Sequence, residues 1–283
     1  MPPARLTVVA LPDENVDMRI FHTPHHRLHA PEWYIADGTR HACPDNPKRI
    51  ERLLEAVRSL PGTQLLTPES IDPWPALRGV HTPDYLDYLQ TIHAIWLAEF
   101  GHEGSTQVLP DTFVRRMPGT KRPDKPSAQA GYYCFDMAAP ITAGTFEAVL
   151  AGATCAVAAA ESLLEESGPK HQRSAYALTR PPGHHAGPDY CGGFCYLNNA
   201  AAAAQHLLNR GMKKVAILDV DYHQGNGTQD IFYDRGDVLF VSIHADPNTQ
   251  YPYFWGHADE RGSGRLRVAP SPVPSPISSA WPQ

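Results

Sequence analysis

The stretch LDVDYHQGNGT, residues 218–228, joins the end of an apolar run to a glycine-punctuated turn. The apolar run over 215–218 predicts a β-strand. Because successive side chains of a strand point to opposite faces, Asp219, Asp221 and His223 are predicted to project together. Two carboxylates and an imidazole on one side of a strand end indicate a metal site or an acid–base site. The alternative, for such a stretch on its own, is a solvated strand end that runs into a turn.

A second polar cluster, RPPGHHA over 180–186, decides between these interpretations. It directly follows a predicted strand that ends at Thr179, and two prolines and a glycine turn the chain before His184 and His185. Ligands of open α/β sheets gather beyond the carboxyl ends of the strands, so the two clusters are predicted to share one crevice. Any one of these histidines alone is more simply a structural residue. The two clusters together indicate a functional site.

The residue types of the two clusters suit metal-assisted hydrolysis. A carboxylate oxygen and an imidazole nitrogen bind Zn²⁺ or another borderline divalent ion, and catalytic zinc keeps three protein ligands and one water. Such an ion polarises a carbonyl group and makes the bound water nucleophilic near neutral pH, and a histidine in reach is the natural general base. Asp219 and Asn226 are polar partners suited to holding the histidine tautomers. Asp221 and His223 alone supply two of the three ligands.

The composition is that of a globular enzyme. The chain has 283 residues, enough for one large α/β domain or two smaller ones, with 42% hydrophobic and 19% charged residues. Its net charge of −6 argues against a nucleic-acid-binding surface and a polybasic membrane anchor. No window approaches the ~18 apolar residues of a membrane span. Five cysteines without a disulfide-framework spacing, and no signal peptide, predict reduced thiols in a cytoplasmic protein.

Strands alternate with helices along the chain, which predicts a parallel α/β sheet. The predicted strands cover 18–22, 64–66, 174–179, 215–221 and 238–243. The predicted helices begin near 46–47 and 81–84, and two alanine-rich helices cover 145–164, ended by Gly168-Pro169, and 198–209. The polar stretch over 101–130 is too long for an ordinary connection and is predicted to be a functional loop. A solvated face is the simpler interpretation of its basic residues.

Both ends of the sequence differ from its middle. Residues 1–17 contain chain-breaking Pro-Pro and Pro-Asp-Glu-Asn runs before Met18. They are predicted to be a disordered extension ahead of the true start, with a short genuine N-terminal arm as the alternative. Within residues 265–283, prolines stand at every second position from Pro270 to Pro276, which excludes a helix or an interior strand there. This tail is predicted to be disordered.

Three motifs resemble the histone deacetylase superfamily: RPPGHHA at 180–186, GGFCYLNNA at 192–200 and DVDYHQGNGTQ at 219–229. Three further stretches are similar to the bacterial acetylpolyamine amidohydrolases, namely GYYCFD at 131–136, AGTFEA at 143–148 and QDIFY at 229–233. The resemblance implies a three-layer arginase/deacetylase-like α/β fold with a mostly parallel central sheet. It makes residues 18–264 the N-terminal part of a deacetylase domain that is incomplete at its C-terminus.

The resemblance also implies roles for single residues. They are the zinc ligands Asp221 and His223, the general base His185, its electrostatic or acid partner His184, and Asp219 and Asn226, which hold these two histidines. A monovalent cation, K⁺ or Na⁺, is implied at Asp219 and Ser242, and a substrate tunnel at Gly193, Phe194 and Tyr251. Zn²⁺ is the implied metal, with Fe²⁺ or Co²⁺ as alternatives.

The implied activity is removal of acetyl groups from acetylpolyamines or acetyl-lysine by metal-activated water. The implied partner is thus a small acetylated amine, with neither nucleic acid nor membrane. By similarity, the long loop before Gly131 shapes the channel and pairs the subunits of a homodimer in full-length members of the family.

Two motifs of the family are missing from this sequence. The third zinc ligand is an aspartate in a later G-x-D segment, and the oxyanion-stabilising tyrosine lies in a G-G-Y segment; neither occurs after residue 264. The strands of that missing part belong between the strand before His184 and the strand before Asp221, so a gap in the sheet and poor solubility are predicted. Two hypotheses remain: a truncated record of a zinc-dependent deacetylase, and an inactive remnant that serves at most as a binding or dimerisation module.

Overall fold

The computed structural model describes residues 18–68, 70–115, 119–164 and 174–263. The predicted disordered segments 1–17 and 265–283 lie outside these residues, as does the predicted helix end at Gly168-Pro169. No helix of the described part is both long and apolar enough to cross a membrane.

Seven strands and seven α-helices make up the described chain. The strands are β1 Met18–Phe21, β2 Trp33–Ala36, β3 Thr39–Ala42, β4 Thr63–Leu66, β5 Ala175–Ala177, β6 Val215–Asp219 and β7 Val238–Ser242. The helices are α1 Lys48–Arg58, α2 Trp74–Leu77, α3 Pro83–Phe100, α4 Pro126–Tyr132, α5 Thr145–Ser162, α6 Asn199–Asn209 and α7 Asn226–Phe232. Short 3-10 helices cover Pro24–Leu28 and Gly101–Glu103. All five predicted strands and the four predicted helices are present, with shifted ends. The hairpin of β2 and β3, and the short helices α2, α4 and α7, were not predicted.

The parallel strands form two sheets. One has the order β4-β1-β5, and the other pairs β6 with β7 in parallel. Neighbouring residues of β1 face different layers: Ile20 packs against Ile50 and Leu54 of α1, whereas Phe21 packs against Cys155 of α5. This places helices on both faces of the first sheet, as predicted for an α/β fold.

The break between the two sheets falls between β5 and β6, where the sequence predicts a gap. Helix α5 packs on β5, α6 packs on β6, and the two alanine-rich helices pack on each other across the break. Strand β6 is covered on one face, where Ile217 packs beside α6. On the other face, Leu218 is 63% exposed, and Val220 beyond the strand end is 71% exposed. Each of the two facing strand edges therefore lacks a neighbour among the described residues.

A buried arginine fixes the loop that leaves β5. Arg180 is 2% exposed and donates from Nη1 to the carbonyl of His26 at 2.6 Å and from Nη2 to the carbonyl of Asp45 at 2.5 Å. Its Nε lies 3.2 Å from Asp45 Oδ2, and that carboxylate is itself buried. These contacts of the buried Arg180 fix the path of the chain immediately before the two adjacent histidines.

Candidate active site

The loops that follow β5 and β6 meet through their backbones. The N–H of Thr228 donates to the carbonyl of His184 at 3.1 Å, which joins the first turn of α7 to the histidine loop. A Cβ atom at Gly227 would lie 2.3 Å from the carbonyl oxygen of Ala186, so only glycine allows this approach. The two polar clusters that the sequence predicts to share a crevice are in contact.

His184 is oriented by a carboxylate. Its Nδ1 lies 2.9 Å from Asp219 Oδ2, and since a carboxylate only accepts, Nδ1–H is the donor. The neutral form of the ring then presents Nε2 towards Asp221, whose Oδ1 is 3.9 Å away. His184 is 17% exposed at its side chain, so its outer edge reaches solvent.

His185 is oriented by an amide instead. Its Nδ1 lies 2.7 Å from Asn226 Oδ1, and the side chain is buried. Burial, with a smaller contribution from the neighbouring His184, lowers the pKa of His185 to about 3. The imidazole is thus neutral near pH 7, with Nδ1–H donated to Asn226 and the lone pair of Nε2 available to accept a proton. The two histidine rings are 3.9 Å apart between centroids.

Asp221 and His223 come together through a turn, and the prediction that the strand extends to Asp221 is wrong. Strand β6 ends at Asp219, because the Asp219 carboxylate then accepts the N–H of Asp221 at 3.0 Å, and Asp221 Oδ1 accepts the N–H of His223 at 2.8 Å. Aspartates commonly bond the backbone two residues further on and so end regular structure. The contact with His223 holds the pKa of Asp221 well below its usual range.

The pair of Asp221 and His223 fits two ligand positions of a divalent metal. Asp221 Oδ1 and His223 Nδ1 are 3.4 Å apart. Two donors that each bind one tetrahedral zinc at ordinary bond lengths lie roughly 3.4 Å apart. Both side chains are accessible, at 51% and 40% exposure. Within the described residues, no group of three or more His, Cys, Asp or Glu side chains is placed to hold a metal ion.

Tyr251 and Gly193 form a wall beside the histidines. The Tyr251 ring stands edge-on to His185, with centroids 4.9 Å apart, and to His223, with centroids 5.6 Å apart. Gly193 has a φ of +52°, and a Cβ atom there would lie 2.5 Å from His185 Cδ2. Phe194 has a φ of 64°, and its ring packs edge-to-face with that of Tyr34 in β2, with centroids 5.1 Å apart. The wall therefore combines a glycine, which leaves space, with aromatic rings.

Ser242 lies opposite Asp219 in the register of β6 and β7. Its hydroxyl is 2.9 Å from His244 Nδ1, and the carboxylate of Asp219 serves His184 and the N–H of Asp221. The predicted role of Asp219 and Ser242 in binding a monovalent cation remains a prediction.

Two residues that sequence reasoning missed support the histidine loop. Asn198 is fully buried: its amide donates to the carbonyl of Ala186 and to Thr228 Oγ1, both at 3.0 Å, and its oxygen caps α6. His81 donates from Nδ1 to the carbonyl of Gly187 at 2.8 Å and accepts the N–H of Asn198 at 3.0 Å. An asparagine before an alanine-rich helix is an N-cap signal, which was available in the sequence.

The sequence and the fold both match characterised proteins. The profile of the family described as histone deacetylase domain matches residues 43–279. Acetylpolyamine amidohydrolase 1 of Pseudomonas aeruginosa is 46% identical over 262 residues, covering 90% of this chain and 72% of that protein. Acetylpolyamine amidohydrolase of Mycoplana ramosa is 40% identical over 247 residues, covering 87% of this chain and 70% of that protein.

Among solved structures, the acetylpolyamine aminohydrolase from Burkholderia pseudomallei has a TM-score of 0.80 at 38% identity. The likeness covers 90% of this chain and 72% of that chain. It confirms the predicted deacetylase-like α/β fold.

Proposed function

Because this chain belongs to the histone deacetylase family, we propose that it hydrolyses the amide bond of N-acetylated amines, with acetylpolyamines as preferred substrates and acetyl-lysine as the next class. Relatives at 46% and 40% identity are named acetylpolyamine amidohydrolases, which supports the polyamine branch. The reaction consumes one water and releases acetate and the free amine.

The observation that carries this proposal is the pair of adjacent histidines, each with its own orienting partner, beside Asp221 and His223. His185, neutral and buried against Asn226, is the general base that takes a proton from the attacking water at Nε2. His184 is the electrostatic or acid partner: in its imidazolium form Nδ1–H is held by the Asp219 carboxylate, while Nε2–H stabilises negative charge and is transferred to the leaving amine nitrogen. The proton that His185 took from the water then restores the protonation state of the pair.

Asp221 and His223 are the residues that would hold the metal. Zn²⁺ is the proposed ion, with Fe²⁺ or Co²⁺ as alternatives, and when bound it polarises the amide carbonyl and activates water. A monovalent cation, K⁺ or Na⁺, is proposed at Asp219 and Ser242, which pair across β6 and β7.

The tunnel wall suits a slender methylene chain. Gly193 leaves space next to His185, while Phe194 and Tyr251 offer apolar ring surface. We place the reaction in the cytoplasm, since all five cysteines are free and buried, and we propose a homodimer in which the segment 101–130 contributes to pairing. No observation on the described residues favours the alternative of an inactive binding module.

The test is hydrolysis of N-acetylputrescine and of an acetyl-lysine peptide by the purified 283-residue chain supplied with Zn²⁺, Co²⁺ or Fe²⁺. We expect turnover that a chelator abolishes and that His185→Ala lowers by about 10²–10⁴-fold, the usual contribution of a general base. His102→Ala changes an exposed histidine away from the site and is the matched control. Turnover equal in the parent and in His185→Ala would contradict the proposal.

Metal binding is tested separately by zinc content after dialysis. Asp221→Ala and His223→Ala are expected to lose bound zinc, whereas Asp111→Ala, an exposed aspartate outside the site, is expected to retain it. If both variants retained zinc at the level of the parent chain, Asp221 and His223 would not be metal ligands.

A further inference from the structure

Asp136 joins two parts of the tunnel wall that are far apart in the sequence. Its Oδ2 accepts the N–H of Gly193 at 2.9 Å and the hydroxyl of Tyr251 at 2.7 Å. Its Oδ1 accepts the N–H of Ala138 at 2.9 Å. One carboxylate therefore fixes a residue 57 positions ahead of it and a residue 115 positions ahead of it along the chain.

The surroundings of Asp136 give these hydrogen bonds weight. None of the ion pairs found within the described residues involves Asp136. Burial raises the pKa of its carboxyl group, and the hydrogen bonds from Tyr251, Ala138 and Gly193 oppose that rise. Hydrogen bonds to a charged, desolvated group are about twice as strong as neutral ones. These three donors, with a longer contact from Cys134 Sγ to Oδ1 at 4.0 Å, hold this carboxylate in place.

Tyr251 depends on this contact for its position. Its ring stands edge-on to both His185 and His223, and it stacks near Phe135, with centroids 6.1 Å apart. The hydroxyl bond to Asp136 is the polar contact that fixes how far the ring reaches between the two histidines. The same Asp136 oxygen also accepts the N–H of Gly193. A Cβ atom at Gly193 would lie only 2.7 Å from the Tyr251 hydroxyl, so a side chain there would displace the tyrosine.

We infer that Asp136 is a positioning residue for the substrate tunnel: it sets the distance between the Gly193 backbone and the Tyr251 ring, and so the placement of the acetylated chain against His185. The inference rests on the proposed deacetylase function. Asp136 contacts Gly193, Ala138 and Tyr251, so its proposed role is in substrate binding rather than in proton transfer.

The chain contains a matched control. Tyr133 donates its hydroxyl to Asp84 Oδ2 at 2.8 Å, the same kind of bond at nearly the same length, but in the core formed by α3 and α4. Tyr133→Phe therefore removes a tyrosine–aspartate hydrogen bond of similar length outside the tunnel wall, to an aspartate that is exposed rather than buried. It is expected to lower stability without changing the KM for N-acetylputrescine.

The test is a double-mutant cycle of Asp136→Ala and Tyr251→Phe. Tyr251→Phe is expected to raise the KM about 10-fold, the effect of losing one hydrogen bond to a charged group, while kcat changes less than KM. Asp136→Ala also removes the acceptor of the Gly193 N–H and is expected to raise the KM by at least as much. In the Asp136→Ala background, Tyr251→Phe is expected to have no further effect, since its partner is already gone. Additive effects in the double variant would overturn the inference.

A second measurement does not require turnover. The edge-on Tyr251 ring should shift the NMR signals of the His185 ring protons, and this ring-current shift should shrink in Asp136→Ala and Tyr251→Phe but not in Tyr133→Phe. If Asp136→Ala does not fold, the comparison of Tyr251→Phe with Tyr133→Phe, in KM and in the ring-current shift, carries the test. A parent chain without turnover contradicts the proposed function, whereas an unchanged His185 shift in the folded variants contradicts the role of Asp136.

Discussion

The two sides of the candidate active site are built differently. His185 and its neighbours Asn198 and Asn226 are buried and bonded to at least one described partner each, whereas Asp221 and His223 are 51% and 40% exposed. The exposed side continues into Leu218 and Val220 on the uncovered face of β6. The histidine side is thus held by contacts within the described chain. Asp221 and His223, the proposed metal ligands, lie next to a strand edge that has no partner among the described residues. The local hydrogen bonds of the motifs therefore form even though the described strands around them do not join into one sheet.

The histidine side should lose most stability when its buried charge is removed. Arg180→Met leaves Asp45 with only its exposed partner Arg49. Breaking a buried pair typically costs about 3–5 kcal/mol, and because the Arg49 pair remains we expect a loss of about 3 kcal/mol. Urea unfolding measures the loss. Arg210→Met is the control, because Arg210 is 53% exposed in its ion pair with Glu161, and such a surface pair contributes at most ~1 kcal/mol. Equal losses in the two variants would show that burial of Arg180 has no special weight.

The same side should also be sensitive to acid through His81. Burial lowers the pKa of His81 to about 4, while the unfolded value is about 6.5. Between these pH values the unfolded state binds more protons than the folded state. The contribution of His81 to the free energy of unfolding, about 3 kcal/mol, is therefore fully present above pH 6.5 and is lost as the pH drops towards 4. His81→Gln should flatten that part of the pH dependence. His102→Gln, at an exposed histidine, should leave it unchanged, and a parent-like slope in His81→Gln would contradict the assignment.

The exposed side should show the smallest effect on folding and a clear effect on association. Leu218→Lys places a charge on the uncovered face of β6 and should change the free energy of unfolding by no more than ~0.5 kcal/mol. It should reduce self-association in analytical ultracentrifugation, since charges on exposed strand edges oppose aggregation. Ile217→Lys, on the packed face one residue earlier, should destabilise the fold instead. If Leu218→Lys left self-association unchanged, the exposed face of β6 would not be the cause of the predicted poor solubility.

Much of the fold follows from local patterns. The apolar runs before Asp219 and after Gly236 predict β6 and β7, and the alanine-rich stretches predict α5 and α6, because periodicity and helix propensity act over a few residues. The break between β5 and β6 was predicted from the resemblance to a family. Neither strand carries a local signal that its neighbour is missing.

Other features depend on contacts that a single sequence does not display. Asp221 leaves the strand because side chains of Asp219 and Asp221 bond the backbone, an outcome that competes with strand alternation. Asp136 gains its position from Gly193 and Tyr251, which are distant in the sequence. The hairpin of β2 and β3 is different: Asp37-Gly38, both at positive φ, is a strong hairpin-turn signal, and it was overlooked.

The break between the sheets has a consequence for hydrogen exchange. Within the described chain, no ladder hydrogen bond crosses from β5 to β6, so the two strand groups are linked by bonds of the histidine loop, such as His184 to Asp219, and by the contact of α5 with α6. That contact is rich in alanine, which buries little apolar area per residue. Amides of β1, β4 and β5 should therefore open together as one cooperative unit, and those of β6 and β7 as a second unit with its own opening free energy.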